Sequence, residues 1–326
     1  TLNWEVFKTM EQLSYEEAGA GTYERVEPGY TWGKTYEYAW FRTTLSLPEE
    51  TAGKRVVLDL CPGGESTVFV NGAAFGTYRA DWVKQPHHFL VDNTLTREAK
   101  PGEVFDICME TYAGHFYAEA QDSGCATGPV LPGLYRDELT EGARRTLREG
   151  TYGIWDEDAY QLFMDVETLS SLLKILDEDS LRAARVAEAL EQFTLIVDFE
   201  QEKEARSRDY RKARAALEPV LSAVNGSTTP VFSAIGNAHL DLAWLWPMAE
   251  TYRKTARTFA AQLRLMEEYQ DYKFIQSQPA CYEMCRKYYP ELFEEIRKAV
   301  KKGQWIAEGA MWVEPDTNMA GGEALV

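Results

Sequence analysis

The 326-residue sequence predicts a multidomain chain in three consecutive parts: an antiparallel β-sandwich over residues 1–150, a helical connector over 151–227, and a parallel α/β region over 228–326. Three observations predict it. The first part is made of short aromatic and β-branched runs separated by turn residues. The second carries apolar residues at spacings of three and four. In the third, strand-like and helix-like segments alternate, which implies parallel strands with right-handed crossovers.

In the first part, residues 36–47 (YEYAWFRTTLSL) form a strand candidate that ends at Pro48, and residues 55–61 (RVVLDLC) form a second that ends at Pro62-Gly63-Gly64. Residues 66–70 run into Asn71-Gly72, and 73–78 resume the apolar pattern. Asn-Gly between two such runs is a strong hairpin signal. Residues 103–112 (EVFDICMETY) alternate two sets of side chains, as a half-buried strand does. Residues 64–76 (GESTVFVNGAAFG) resemble the jelly-roll domains found beside glycoside hydrolase catalytic domains. Exposed rings such as Tyr78 or Trp82 would suit sugar binding; supporting a catalytic neighbour is the plainer role. His87, His88 and His115 lack ligand spacing and read as structural.

In the second part, Phe163, Val166, Leu169, Leu172, Leu173 and Leu176 make one apolar stripe. Two further helical segments follow, residues 181–199 and 202–224, with Pro219 a kink candidate in the latter. None of these residues calls for a chemical role.

In the third part, residues 231–237, 272–277 and 304–313 read as strands, and 248–269 and 279–302 as helices, with Pro290 splitting or kinking the second helix. Ligands of parallel sheets bind at the carboxyl ends of the strands. His239 and Asp241, then Gln276, Ser277 and Gln278, then Trp312, Glu314 and Asp316 all fall at such ends. A bare His-x-Asp more often marks a structural histidine. Here the convergence of three strand ends on one rim favours half of a metal site, with donors suited to zinc or a similar divalent ion. Gln276 and Gln278 fit either substrate contacts or turn positions.

Composition narrows the classes. The chain is 45% apolar and 26% charged, ordinary for a globular protein. Its net charge of -18, with 52 acidic and 34 basic residues, argues against a nucleic-acid partner. No apolar run approaches membrane length and no signal pattern opens the chain, so a cytoplasmic location and no membrane partner are expected. Cys61, Cys108, Cys125, Cys281 and Cys285 show no disulfide spacing, and the last two read as a buried inert pair.

The residues GNAHLDLAWLWP, FIQSQPACYE, YYPELFEEIRKAVKKGQW and EGAMWVEPDTNMAGGEALV occur in this order between about 230 and 326. Together they resemble the N-terminal part of the catalytic domain of glycoside hydrolase family 38, the α-mannosidases, in its cytosolic and bacterial type. The resemblance implies a retaining α-mannosidase acting on mannose-containing oligosaccharides. It implies a parallel α/β barrel, incomplete within these residues, and one divalent metal, zinc or alternatively cobalt. By position, His239 and Asp241 resemble two metal ligands and Trp244 the ring that stacks beneath mannose. Trp312 and Asp316 belong to a motif near the substrate, with Glu314 and Asn318 beside them; Glu323 matches the same motif and reads as structural.

The family's nucleophilic Asp, second His ligand and acid/base carboxylate correspond to positions beyond Val326. No catalytic residue is therefore assigned within the chain. A fragment of a longer enzyme, inactive alone and weak in metal binding, is expected. Two alternatives stand beside it: a metal-dependent polysaccharide deacetylase on a similar barrel, and a carbohydrate-binding or scaffold fragment. Oligomeric state is left open, a homo-oligomeric full-length protein included.

Overall fold

The computed structural model describes residues 1–34, 36–78, 93–114, 145–224, 226, 229–242, 246–309 and 311–314. Trp82, His87, His88, His115, Cys125, Trp244, Asp316, Asn318 and Glu323 lie outside them. The chain divides into two compact units, Thr1–Ile154 with Ala234–Val326, and Trp155–Ser233.

The first unit begins with β1 (Trp4–Thr9), a short helix α1 (Tyr15–Gly19), β2 (Glu24–Val26), β3 (Thr31–Trp32) and β4 (Tyr38–Ser46). Next come β5 (Val56–Asp59), β6 (Glu65–Val70), β7 (Ala73–Tyr78), β8 (Thr94–Thr96), β9 (Val104–Tyr112), β10 (Arg145–Thr146) and β11 (Thr151–Ile154). A six-stranded sheet runs β2-β1-β4-β9-β6-β7, and a three-stranded sheet runs β11-β5-β8; β10 pairs with β3. Every pairing among these strands is antiparallel. Trp4, Val6, Phe41, Val56, Leu58, Leu60, Val68 and Met109 fill the core between the sheets. The β6–β7 turn is the expected Asn-Gly hairpin, with positive φ at Asn71 (50°) and Gly72 (86°). Tyr78 is not the free ring the sequence suggested; it packs against the sandwich core.

The second unit holds α2 (Glu157–Leu173), α3 (Leu181–Ile196) and α4 (Lys203–Leu221). Asp156 and Ser180 cap the first two through backbone N–H groups three residues on. Leu162, Leu169, Val186, Ala213 and Leu217 form the core, and Arg214 pairs with Asp165 at 2.7 Å. Pro219 sits inside α4 in its last turn.

The first unit resumes with β12 (Gly236–Asn237), α5 (Met248–Glu268), β13 (Phe274–Gln276), α6 (Pro279–Tyr288), α7 (Pro290–Lys301) and β14 (Trp305–Ala307). The three strands are parallel, in the order β12-β13-β14. Pro290 opens a new helix, as its position predicts. All three strands are shorter than expected. Val231 and Phe232 are exposed, and β12 bonds to β13 only at Gly236 and Asn237. After Ala307 the chain turns at Gly309 (φ 131°), whose Cα lies so close to the Ser277 carbonyl that a Cβ would clash. Cys281 and Cys285 are buried in this core, and burial pushes their thiols up to about 11 and about 12.

Helix α5 has two buried faces. Ala256, Phe259, Ala260, Leu263 and Met266 face the α/β core. Its charged stripe lies on the outer face of the six-stranded sheet. Arg253 pairs there with Glu110, Lys254 reaches Glu65 at 2.6 Å, and Arg257 bridges Glu65 (2.9 Å) and Glu250 (2.6 Å). Tyr38 donates its hydroxyl to Glu250 at 3.0 Å. Three carboxylates thus meet three cations. Burial alone would raise the Glu65 pKa, but Arg257 and Lys254 override it and hold the carboxyl at about 2. For Glu110 burial prevails over Arg253 and lifts the carboxyl to about 7. At the helix's far end, Glu268 accepts from Arg55 at 3.1 Å and from Arg97.

Candidate functional site

The site grows from the backbone that leaves β12. A Cβ at Gly236 would run into the Tyr272 ring and hydroxyl, so a larger residue there requires Tyr272 to move. Asn237 donates its side-chain amide to the Ile275 carbonyl at 3.1 Å. Beyond it the chain leaves the sheet, and two glutamines take over from strand pairing. Gln276 Nε2 donates to the Ala238 carbonyl at 3.1 Å, and Gln278 Nε2 donates to the Leu240 carbonyl at 2.9 Å. Both glutamines are buried. The Gln276 Oε1 accepts from the backbone N–H of Ser277 (2.8 Å) and of Gln278 (3.1 Å). Of the two roles the sequence left open, these side chains take neither a simple turn nor a substrate contact. They clamp Ala238 and Leu240, the two residues that flank His239, the second of which also precedes Asp241.

His239 and Asp241 project from this clamped segment, with side chains 64% and 39% exposed. His239 Nε2 lies 3.4 Å from Asp241 Oδ1. His239 Nδ1 lies 2.5 Å from Glu314 Oε2, and Ser277 Oγ donates to the other Glu314 oxygen at 2.6 Å. The Glu314 hydrogen bond raises the His239 pKa; slight burial opposes it and the Asp241 charge adds to it. Glu314 thus joins the first and third strand ends, with Ser277 of the second in contact.

The donor chemistry can be tested against a divalent ion. Two donors on a tetrahedral zinc, with bonds of roughly 2.0–2.2 Å, stand about 3.4 Å apart. Nε2 and Oδ1 have that separation. A carboxylate on the other ring nitrogen is the usual partner of a metal-ligating histidine, since it fixes the tautomer and ring orientation. His239 and Asp241 fit as two donors. They do not make a full set: among the described residues no group of three or more His, Cys, Asp or Glu side chains could hold a metal.

Trp312 stands beside this rim, 61% exposed, and its carbonyl accepts from the Ala280 N–H at 3.0 Å, at the start of α6. Trp246 is held by α5: its indole donates to Thr251 at 3.2 Å, and Lys254 Nζ lies 4.3 Å from the ring centroid. Sequence reasoning placed Glu314 at the rim but missed its bond to His239. It also missed the part of α5 in holding this loop, although charges at 250, 253, 254 and 257 carry the helical spacing that could have revealed a second buried face.

Residues 230–326 match the model of the glycosyl hydrolases family 38 N-terminal domain, and residues 2–127 match the alpha-mannosidase jelly roll domain. The last third of the chain is thus similar to the N-terminal domain of glycosyl hydrolase family 38. Curated relatives include alpha-mannosidase 2C1 of Mus musculus, 27% identical over 98% of the chain and 29% of the relative. Alpha-mannosidase G of Dictyostelium discoideum is 28% identical over 97% and 28%, and alpha-mannosidase of Saccharomyces cerevisiae is 30% identical over 90% and 26%. The chain thus spans less than a third of the length of these relatives. Among solved structures, a β-glucuronidase from Ruminococcus gnavus shares 15% identity over 45% of this chain and 24% of its own, at a TM-score of 0.28. No helix among the described residues is long and apolar enough to cross a membrane.

Proposed function

We propose that this chain is the N-terminal part of a retaining, metal-dependent α-mannosidase that removes terminal α-mannose from oligosaccharides. The observation that carries the reading is the His239–Asp241 pair at the carboxyl rim of a parallel sheet, with Nε2 and Oδ1 3.4 Å apart. The family match and the α-mannosidase relatives support the substrate class. In this reading the three parallel strands begin an α/β barrel whose remaining strands lie elsewhere in the protein.

His239 and Asp241 would hold the ion, zinc or alternatively cobalt. When bound, it supplies fixed positive charge that can ligate sugar hydroxyls and stabilise a distorted ring. Glu314 keeps the proton on His239 Nδ1, which leaves the Nε2 lone pair free to bind. The two glutamine clamps limit the loop's freedom, so the donors are set before substrate arrives. Trp244 is assigned to stacking beneath the mannose ring, and Trp312 and Asp316 to contacts around it. A retaining glycosidase needs two carboxylates about 5–5.5 Å apart. We assign these, and the second His ligand, to the longer protein rather than to these 326 residues. A cytoplasmic location belongs to the same reading.

The test is hydrolysis of an aryl α-mannoside. The whole protein should lose turnover on chelation and regain it with zinc, and His239→Ala should abolish that recovery while the fold persists by circular dichroism. The 326-residue chain alone should show no turnover. Full activity in chelator-treated, metal-free protein would sink the proposal.

A further inference from the structure

The segment that carries Asp241 is held at both ends. At the near end Gln278 donates to the Leu240 carbonyl at 2.9 Å. At the far end stands Trp246, just ahead of α5. Its indole N–H donates to the buried Thr251 hydroxyl at 3.2 Å, and the Lys254 ammonium lies 4.3 Å from its ring centroid. The hydrogen bond fixes one edge of the indole and the ammonium covers a face. A contact between a cation and a ring strengthens as the cation is withdrawn from water. Lys254 is so withdrawn, its side chain only 10% exposed.

A lysine without a partner would turn that ammonium toward solvent, because its stem is flexible and its charge strongly hydrated. The sandwich prevents this. Glu65, the first residue of β6, accepts from Lys254 Nζ at 2.6 Å. Among the described residues no other carboxylate lies within ion-pair distance of Lys254. The position of Glu65 is itself fixed. Its backbone pairs with Tyr112 of β9 inside the six-stranded sheet, and Arg257 reaches the same carboxylate oxygen at 2.9 Å. The ammonium is thus set between a carboxylate of the sandwich and a ring beside the rim. The neighbouring Arg253 has other duties: it bonds to Glu110 and to the carbonyls of Ala249 and Leu13.

We propose that Glu65 is a positioning residue for the rim: through Lys254 it holds Trp246, and through Trp246 the far end of the segment on which Asp241 stands. The sandwich then helps to set the donor geometry although none of its residues reaches the donors. The expected effect on zinc rests on reading His239 and Asp241 as metal donors; the anchoring of Trp246 does not.

The test compares Glu65→Gln and Lys254→Met in the whole protein with Glu110→Gln, which breaks the neighbouring pair in the same cluster. Hydrogen–deuterium exchange on metal-free protein reads the anchor. A peptide over residues 238–247 should exchange about fivefold faster in Glu65→Gln and in Lys254→Met, the scale of one cation–π contact. It should keep its original rate in Glu110→Gln, and also in Lys254→Arg, whose guanidinium can both pair and stack. Zinc affinity, measured calorimetrically, should fall about fivefold in each of the first two variants. It should fall no further when they are combined, since both act through one contact. Equal acceleration of the peptide in Glu110→Gln would reduce Glu65 to a stability role and overturn the proposal. So would additive losses of zinc affinity, or unchanged exchange in Glu65→Gln. If the unaltered protein binds no zinc, the metal reading fails, and the exchange rates still decide whether Glu65 anchors Trp246.

Discussion

Beneath α5, Glu65, Glu110 and Glu250 lie against Arg253, Lys254 and Arg257, every charge matched and five of the six residues less than 9% exposed. At the rim of the parallel sheet, His239 and Asp241 stand largely in solvent, with one imidazole nitrogen held by Glu314 and the other facing Asp241 across 3.4 Å. Both places gather titratable groups around a few ångströms of space. Under α5 each charge is paired with another side chain, although the buried Arg257 Nε makes no hydrogen bond, so the cluster acts as a joint. At the rim the donors are oriented but not consumed, so they remain available to something that is not protein. Density of charge is therefore a poor guide to a site. Coordination left over after the protein's own bonds are counted is a better one.

Four substitutions or conditions would break or sharpen that contrast. The largest effect belongs to the joint. Arg257→Met leaves Glu250 and Glu65 without their shared cation in a buried setting and should cost about 3–5 kcal/mol in urea unfolding. A loss below about 1 kcal/mol would mean the network is not a joint at all. At the rim, Glu314→Gln should change stability by less than about 0.5 kcal/mol. It should instead weaken zinc binding, measured calorimetrically on the whole protein, by about 10–100-fold, the scale for partners of metal-bound histidines. Equal zinc affinity in the variant would remove Glu314 from the site.

The clamp lies between these extremes. Gln278→Leu leaves the buried Leu240 carbonyl without its donor and should cost about 1–3 kcal/mol. If the clamp positions Asp241, zinc affinity should fall in the same variant; if only stability falls, Gln278 is packing alone. The smallest effect is seen only in acid. The Glu65 carboxyl is held at about 2, below its ordinary 4.5. Its contribution to stability is therefore complete above the ordinary value and is lost as pH falls from there through about 2. Glu65→Gln should flatten that acid limb. An unchanged limb would place the acid sensitivity in other carboxylates.

Local signals in the sequence carried much of the fold. Asn71-Gly72 specifies a hairpin by backbone preference alone, and Pro290 divides two helices because it lacks an N–H. His239 and Asp241 were legible because strand ends in a parallel sheet share a rim. What escaped was non-local. The charges of α5 look like a solvated helix face until Glu110, 143 residues away from Arg253, is seen beneath them. Glu314 lies 75 residues from His239, and no periodicity links the two. The overlong strand at 304–313 failed for a nearer reason: its apolar run passes through Gly309, whose contact with Ser277 turns the chain out of the sheet.

The two-faced burial of α5 bears on how such proteins can be recombined. A hybrid that joins this sandwich to the α/β part of a relative, cut anywhere between residues 155 and 233, would separate Glu65 and Glu110 from the cations that pair with them here. The exchangeable module is therefore larger than the sandwich. It is the sandwich together with the charged stripe of a helix that begins about a hundred residues later, and the two should be inherited, or transplanted, as one.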